Sequence, residues 1–379
     1  MAELLPTRQA QNLVRAVSEY ITTSISLADQ PAKNALAAFL EGEDGIVIGP
    51  YLRARTPYRP SAEYRAQSAY GGGIPPARPL SWLPAGFTPY VHQENAFRRL
   101  TSNPTWPGGQ RDGAGLRIPA PTLVTTGTGS GKTESFLYPV LDHVARARRM
   151  GISGTKALLL YPMNALASDQ AGRLAGLITQ HPQLSGITAA LYTGEAGTTA
   201  RKAVDRNGLI TDRETIRRNP PDIILTNYKM LDQMLLRAPD HSIWRASATS
   251  LRYLVLDEFH TYDGAQGTDV AMLIRRLRRV LEHHAPSRES VHLVPVATSA
   301  TLGGSGQQGT DTMREFAQTV FGCDFPPESV VGEDRLSVAE VCDAAGQRLT
   351  GRAVKSPCRN APPPARMAKS WRRKKTPPS

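Results

Sequence analysis

The chain has 379 residues, 45 Lys and Arg against 33 Asp and Glu, and only three cysteines. That length predicts two to three domains with ample chain for a buried core, while three cysteines without a Cys-x-x-Cys pair exclude a disulfide scaffold or a self-contained four-cysteine zinc site. Of the formal charge of +12, nine positive charges fall in residues 351–379, where no acid occurs, so bulk charge says little about a nucleic-acid partner for the rest.

Helical spacing through Leu13, Val14, Val17, Ile21 and Ile25 predicts a helix over 8–27, and a second is expected over 31–40. Between 50 and 121 there are 12 Pro and 8 Gly in 72 residues, and only 90–100 keeps a helical pattern. Residues 1–84 therefore read as a helical and irregular annex. From there the pattern changes. Short apolar runs at 122–126, 157–161, 187–192, 223–226, 253–256 and 293–297 alternate with helical segments, which predicts βαβ units in a parallel sheet with helices on both faces. Ligands of such a sheet gather at the carboxyl ends of its strands.

Segment 268–284 places Val270, Leu273, Ile274, Leu277, Val280 and Leu281 on one side and Arg275, Arg276, Arg278 and Arg279 on the other. It reads as a packed helix with a solvated arginine face. Beyond 324 the periodicity fades, and 325–379, with prolines at 362–364 and a basic run at 372–375, reads as a disordered tail. No apolar run nears the ~18 residues of a membrane span and the start lacks a basic-then-apolar leader, so the expectation is a cytoplasmic protein without a membrane partner.

Two segments carry chemistry. The run at 122–126 leads into Gly127-Thr128-Gly129-Ser130-Gly131-Lys132-Thr133, followed by a helical pattern through Phe136, Leu137, Val140 and Leu141. Glycines let successive backbone N–H groups turn inward around a phosphate, and the following helix adds its positive end. Lys132 is expected on the β- and γ-phosphates and Thr133 on Mg²⁺. One departure from Gly-x-x-x-x-Gly-Lys-Thr is Thr126 at the first position. Further on, the apolar strand at 253–256 ends in Asp257 and Glu258. Adjacent strand residues point to opposite faces, so Asp257 is expected to hold the metal and Glu258 to polarise an attacking water.

Together with Ser299-Ala300-Thr301, these sites resemble superfamily 2 helicases of the DEAD/DEAH-box kind. Intermediate motifs follow in order: the segment from Tyr161 to Gln170, then Tyr192-Thr193-Gly194, then Thr226-Asn227-Tyr228, with Phe87-x-Pro89-x-x-x-Gln93 upstream. The resemblance covers 85–324 and implies a RecA-like P-loop lobe using ATP and Mg²⁺. It also implies that Phe87 and Gln93 read adenine, that Thr128, Gly129, Ser130, Gly131, Lys132 and Thr133 hold the phosphates, and that His260, Ser299 and Thr301 couple hydrolysis to movement. Pro162, Asn164, Thr193, Gly194, Thr226 and Asn227 would touch the sugar-phosphate chain of a nucleic acid, DNA before RNA. The wording of 257–267 is similar to a bacterial branch of large helicases in which a zinc-binding C-terminal domain is common, with DNA-repair and phage-defence members.

Such motors need a second lobe, whose arginines complete the ATP site. Only 55 residues follow 324, and Arg348 and Arg352 lack the spacing and context of an arginine finger. The expectations are a truncated product or a second polypeptide that supplies the other lobe. The alternative reading is a non-catalytic nucleotide or nucleic-acid binding module or an inactive remnant.

Overall fold

The structure, a computed structural model, describes residues 6–25, 27–42, 45, 55–61, 80, 82–83, 86–127, 129–194, 200–300 and 307–346. It divides into two units, Met1–Pro57 and Tyr58–Ser379. In the first, α1 (Pro6–Ser24) and α2 (Gln30–Glu41) form where helical spacing predicts them. Asp29 caps α2 by accepting a bond from the Ala32 N–H at 3.2 Å, and Pro31 sits in the first turn, where a missing N–H goes unmissed.

The second unit opens with α3 (Val91–Leu100) and β1 (Thr122–Thr125). It continues through α4 (Lys132–Arg149), β2 (Ala157–Tyr161), α5 (Asn164–Gln180), β3 (Ala189–Leu191), α6 (Arg213–Arg218), β4 (Ile223–Asn227), α7 (Tyr228–Leu236), α8 (His241–Ala246) and β5 (Tyr253–Leu256). The remaining elements are α9 (Gly264–His284), β6 (Val294–Ser299), α10 (Gln307–Phe321), β7 (Val330–Gly332) and α11 (Val338–Gly346). The seven strands among the described residues are all parallel, in the order β3-β4-β2-β5-β6-β1-β7. Alternation along each strand feeds two cores. Leu158, Leu160, Leu254, Leu256 and Ala297 pack with α7, α8, α9 and α10. Leu159, Tyr161, Tyr253, Val255 and Val296 pack with α3, α4 and α5 on the other face. Burial on both faces is why these strands read as unbroken apolar runs.

Helix α9 buries its apolar side, while Arg276 pairs with Asp232 and Arg279 with Glu282 at the surface, as its sequence pattern predicts. Two boundaries move. Residues 58–61, read as annex, belong to the second unit: Arg59 N–H donates to the Asp334 carbonyl at 3.0 Å and Ser61 N–H to the Pro89 carbonyl at 2.8 Å. Residues 325–346, read as tail, contribute β7 alongside β1, where Val331 packs on Ala96 and Val124, and then α11. The proline-rich basic run and the Arg348 and Arg352 candidates lie outside the described residues.

Asp222, at the entry to β4, forms a buried ionic node. It accepts from Lys156 Nζ at 2.8 Å, Arg148 Nη1 at 2.9 Å, Thr188 N at 2.8 Å and Thr188 Oγ1 at 2.9 Å. The Lys156 side chain is 2% exposed, so its ammonium depends on this carboxylate. Asp222→Ala is expected to lower stability by ~3–5 kcal/mol in urea unfolding, the range for an orphaned buried charge, with a loss under 1 kcal/mol contradicting the assignment.

Candidate functional site

Strands β5, β6 and β1 are neighbours, so the loops leaving their carboxyl ends converge on one patch. The loop after β1 is shaped by two left-handed glycines, Gly129 and Gly131, at φ 76° and 77°. Thr126, at the position where the loop pattern asks for glycine, is buried and shares a 2.7 Å hydrogen bond between its Oγ1 and Ser130 Oγ, a hydroxyl clasp across the turn. From below, α3 holds the loop in place. His92 Nε2 lies 2.9 Å from the Ser130 carbonyl, and Gln93 Nε2 donates to the Gly131 carbonyl at 3.3 Å while its Oε1 accepts from Tyr90 N–H at 3.0 Å. Burial pushes the His92 imidazole below its ordinary pKa, favouring the neutral ring. Phe87 packs edge-on against Tyr138, at 5.8 Å between centroids. Thr133 sits half-buried in the first turn of α4.

The acidic pair diverges for a reason other than strand alternation. Strand β5 ends at Leu256, and Glu258 takes a left-handed conformation, φ 49°, which turns the chain sharply between the two carboxylates. Asp257 is 6% exposed; burial raises its pKa, opposed by the Thr298 hydroxyl that donates to Oδ1. Glu258 Oε1 lies 3.4 Å from Lys132 Nζ, joining the acidic turn to the glycine loop. Its other oxygen lies 3.6 Å from His260 Nδ1, which in turn is 3.3 Å from Ser299 Oγ. Ser299 is the last residue of β6 rather than a residue beyond it.

The other half of the same edge gathers the remaining candidates at the ends of β3, β4 and β2. Asn227 Nδ2 donates to Asn164 Oδ1 at 2.6 Å, and Thr226 Oγ1 donates to the Tyr192 carbonyl at 2.6 Å, beside Thr193 and Gly194. Pro162 follows β2 directly, and Asp257 N–H donates to the Leu160 carbonyl at 3.0 Å, so the two halves share the β2–β5 seam. Thr128 and Thr301 lie outside the described residues.

Sequence reasoning missed four participants. Thr298, adjacent to the Ser299 motif, and His92, adjacent to Gln93, could have been found by looking one residue upstream. Glu333 and Arg335 had no local signal. Glu333 Oε2 accepts from the Gly127 N–H at 3.2 Å, and the Arg335 guanidinium lies 3.8 Å from the centre of the Tyr58 ring. Close by, Arg59 pairs with Asp334 at 2.9 Å and with Glu340 at 2.6 Å, drawing the Glu340 carboxyl down to about 2.

This donor set fits a magnesium triphosphate: a loop free of Cβ atoms at two positions, an ammonium, a hydroxyl and a carboxylate. Among the described residues no three His, Cys, Asp or Glu side chains converge as a metal cage. Sheet order and site together define a P-loop lobe of the RecA type. The DEAD/DEAH box helicase family model matches residues 115–308, and the chain belongs to that family.

Among similar proteins, the Druantia protein DruE of Escherichia coli is 26% identical over 77% of this chain and 20% of its own length. An uncharacterized ATP-dependent helicase of Bacillus subtilis, YprA, is 32% identical over 58% of this chain and 24% of its own. The crystal structure of the DUF1998 helicase MrfA bound to DNA gives a TM-score of 0.48 at 24% identity, covering 74% of this chain and 29% of that one. The chain thus spans between 20% and 24% of the length of these two curated relatives. None of the helices in the described residues is long and apolar enough to cross a membrane.

A Cβ on Gly131 would fall 2.2 Å from Gln93 Nε2 in a backbone conformation that already disfavours side chains, whereas Gly113 faces open space. Gly131→Ala is expected to weaken binding of a fluorescent ATP analogue by ~10-fold or more, as 1–3 kcal/mol of local strain implies, with Gly113→Ala unchanged. Equal affinity for both variants would contradict the assigned role of the loop.

Proposed function

We propose that residues 58–346 form the ATP-binding first motor lobe of a nucleic-acid helicase or translocase, in which ATP hydrolysis is coupled to movement along a strand. The observation that carries this reading is the 3.4 Å contact between Lys132 and Glu258, which brings the glycine loop and the acidic turn within reach of one triphosphate. Residues of the helicase strand-contact motifs lie along the same sheet edge, separated from the nucleotide half by a single strand seam.

In this reading, backbone N–H groups of 128–133 and the α4 N-terminus hold the phosphates, and Thr133 and Asp257 hold Mg²⁺. Bound there, Mg²⁺ would neutralise charge on the phosphate oxygens. Lys132, paired here with Glu258, would exchange that partner for the β- and γ-phosphates. Glu258 is then free to orient the attacking water and accept its proton. His260, between Glu258 and Ser299, passes the change to the end of β6. Gln93 and Phe87 are the residues that the family resemblance assigns to adenine. Contacts from Pro162, Asn164, Thr193, Gly194, Thr226 and Asn227 run to sugar and phosphate, which fixes register without reading bases and suits movement over any sequence.

DNA is favoured over RNA because the wording of 257–267 is similar to the bacterial repair and defence branch. A second lobe, elsewhere in the same polypeptide or on a partner polypeptide, supplies the arginines that complete the site. Arginine fingers in such sites contribute ~10³–10⁵ in turnover, so the lobe alone is expected to hydrolyse ATP slowly.

Glu258→Gln should keep ATP-analogue affinity while abolishing strand-stimulated phosphate release in the complete two-lobed protein. Turnover equal to wild type would remove Glu258 from the chemistry. An ATPase rate indifferent to both single- and double-stranded nucleic acid would overturn the motor reading.

A further inference from the structure

Ahead of α6, residues 200–212 make an arm that belongs to none of the motifs above. Ile210 pairs alongside Ala190, with the Leu191 N–H donating to its carbonyl at 2.9 Å, so the arm is stitched to the edge of the sheet. Arg201 is fixed at its root: its N–H donates to Thr211 Oγ1 at 2.9 Å, and its carbonyl accepts from the Thr211 and Asp212 N–H groups, each at 2.9 Å. The guanidinium then lies over Gly208, where a Cβ would stand 2.5 Å from Nη1.

The arm walls a cleft of about 600 Å³ whose lining includes Ser168, Thr193, Gly194, Arg201, Asn207 and Arg213. Arg213 donates to the Thr193 carbonyl at 3.1 Å and lies 5.3 Å from the centre of the Tyr192 ring. Elsewhere on the lobe arginines find carboxylates, as Arg148 does with Asp222, Arg217 with Asp240 and Arg252 with Asp112. Among the described residues, no carboxylate pairs with Arg201 or Arg213. Of the nearby described acids, Asp205 accepts from the Asn207 N–H, and Asp212, which also lines the cleft, accepts from the N–H and hydroxyl of Thr215. The Arg213 guanidinium, held by the Thr193 carbonyl, and the Arg201 guanidinium, whose residue is anchored through its main chain, line a cleft with hydroxyl and amide groups and suit a polyanion better than a neutral ligand.

We propose that this arm grips the strand: Arg201 and Arg213 receive backbone phosphates of a nucleic acid that passes over Ser168, Thr193 and Gly194. The proposal rests on the strand-binding reading above and adds to it a contact element that lies outside the helicase motifs. Phosphate contacts of this kind carry affinity and salt dependence without base preference.

The test is fluorescence anisotropy of a labelled single-stranded oligodeoxythymidine against the full chain, at several salt concentrations, for wild type, Arg201→Ala, Arg201→Glu and the remote surface control Arg288→Ala. Arg201→Ala should bind ~3–10-fold more weakly, with a salt slope smaller by about one phosphate contact, Arg201→Glu should be weaker still, and the control should be unchanged. Binding by Arg201→Ala equal to wild type would overturn the grip while leaving the motor reading intact. Equal loss in Arg201→Ala and Arg288→Ala would also overturn it, since bulk charge would then explain the effect. Absence of binding by wild type would instead overturn the strand-binding reading and this inference with it.

Discussion

Parallel pairing brings every strand's carboxyl end to one edge, and the order in which strands enter the sheet decides which loops become neighbours there. In this lobe β6 enters between β5 and β1. Neighbouring strands lie ~4.8 Å apart, so the ends of β5 and β1 stand roughly 10 Å from each other, a gap that a lysine and a glutamate can bridge. The Lys132–Glu258 contact is that bridge. Thr298 and Ser299, at the end of the strand between, bind Asp257 and approach His260 in turn. A different position for β6 would leave the same motifs present and chemically disconnected.

The supports under this site come from distant sequence. Glu333 follows β7 and accepts from Gly127 across 206 positions, while His92 and Gln93 hold the Ser130 and Gly131 carbonyls from α3. Arg59 and Tyr58 are joined to the 334–340 segment by ion pairs and a cation over an aromatic ring. Beginning and end of the lobe thus close on each other beside the phosphate loop. Loop conformation is therefore a property of the whole folded unit rather than of the glycines alone.

The central strands were legible because burial on both faces leaves four to six consecutive apolar or small residues, a signal that needs no partner to be seen. β7 was not. It offers only Val330, Val331 and Gly332, and its existence depends on the open edge of β1. The start of the lobe at 58 escaped for the same reason, since its hydrogen bonds run to Pro89 and Asp334. Both chemical segments lie at strand ends as their apolar runs predict, yet the geometry of the acidic pair differs from strand alternation, because a left-handed turn at Glu258 leaves no trace in residue type. Thr126 looked like a defect in the loop pattern; its hydroxyl partner Ser130 lies within the motif, but the bond between them appears only in three dimensions.

The central claim is that the loop ending at Thr133 and the turn at 257–258 bind one magnesium triphosphate. The most direct measurement is titration of a fluorescent ATP analogue with and without Mg²⁺, for wild type and Asp257→Asn. Mg²⁺ should tighten saturable, ATP-competed binding several-fold in the wild type, and this gain should vanish in the variant. Saturable binding that Mg²⁺ tightens equally in both proteins, or no saturable binding at all, would contradict the account.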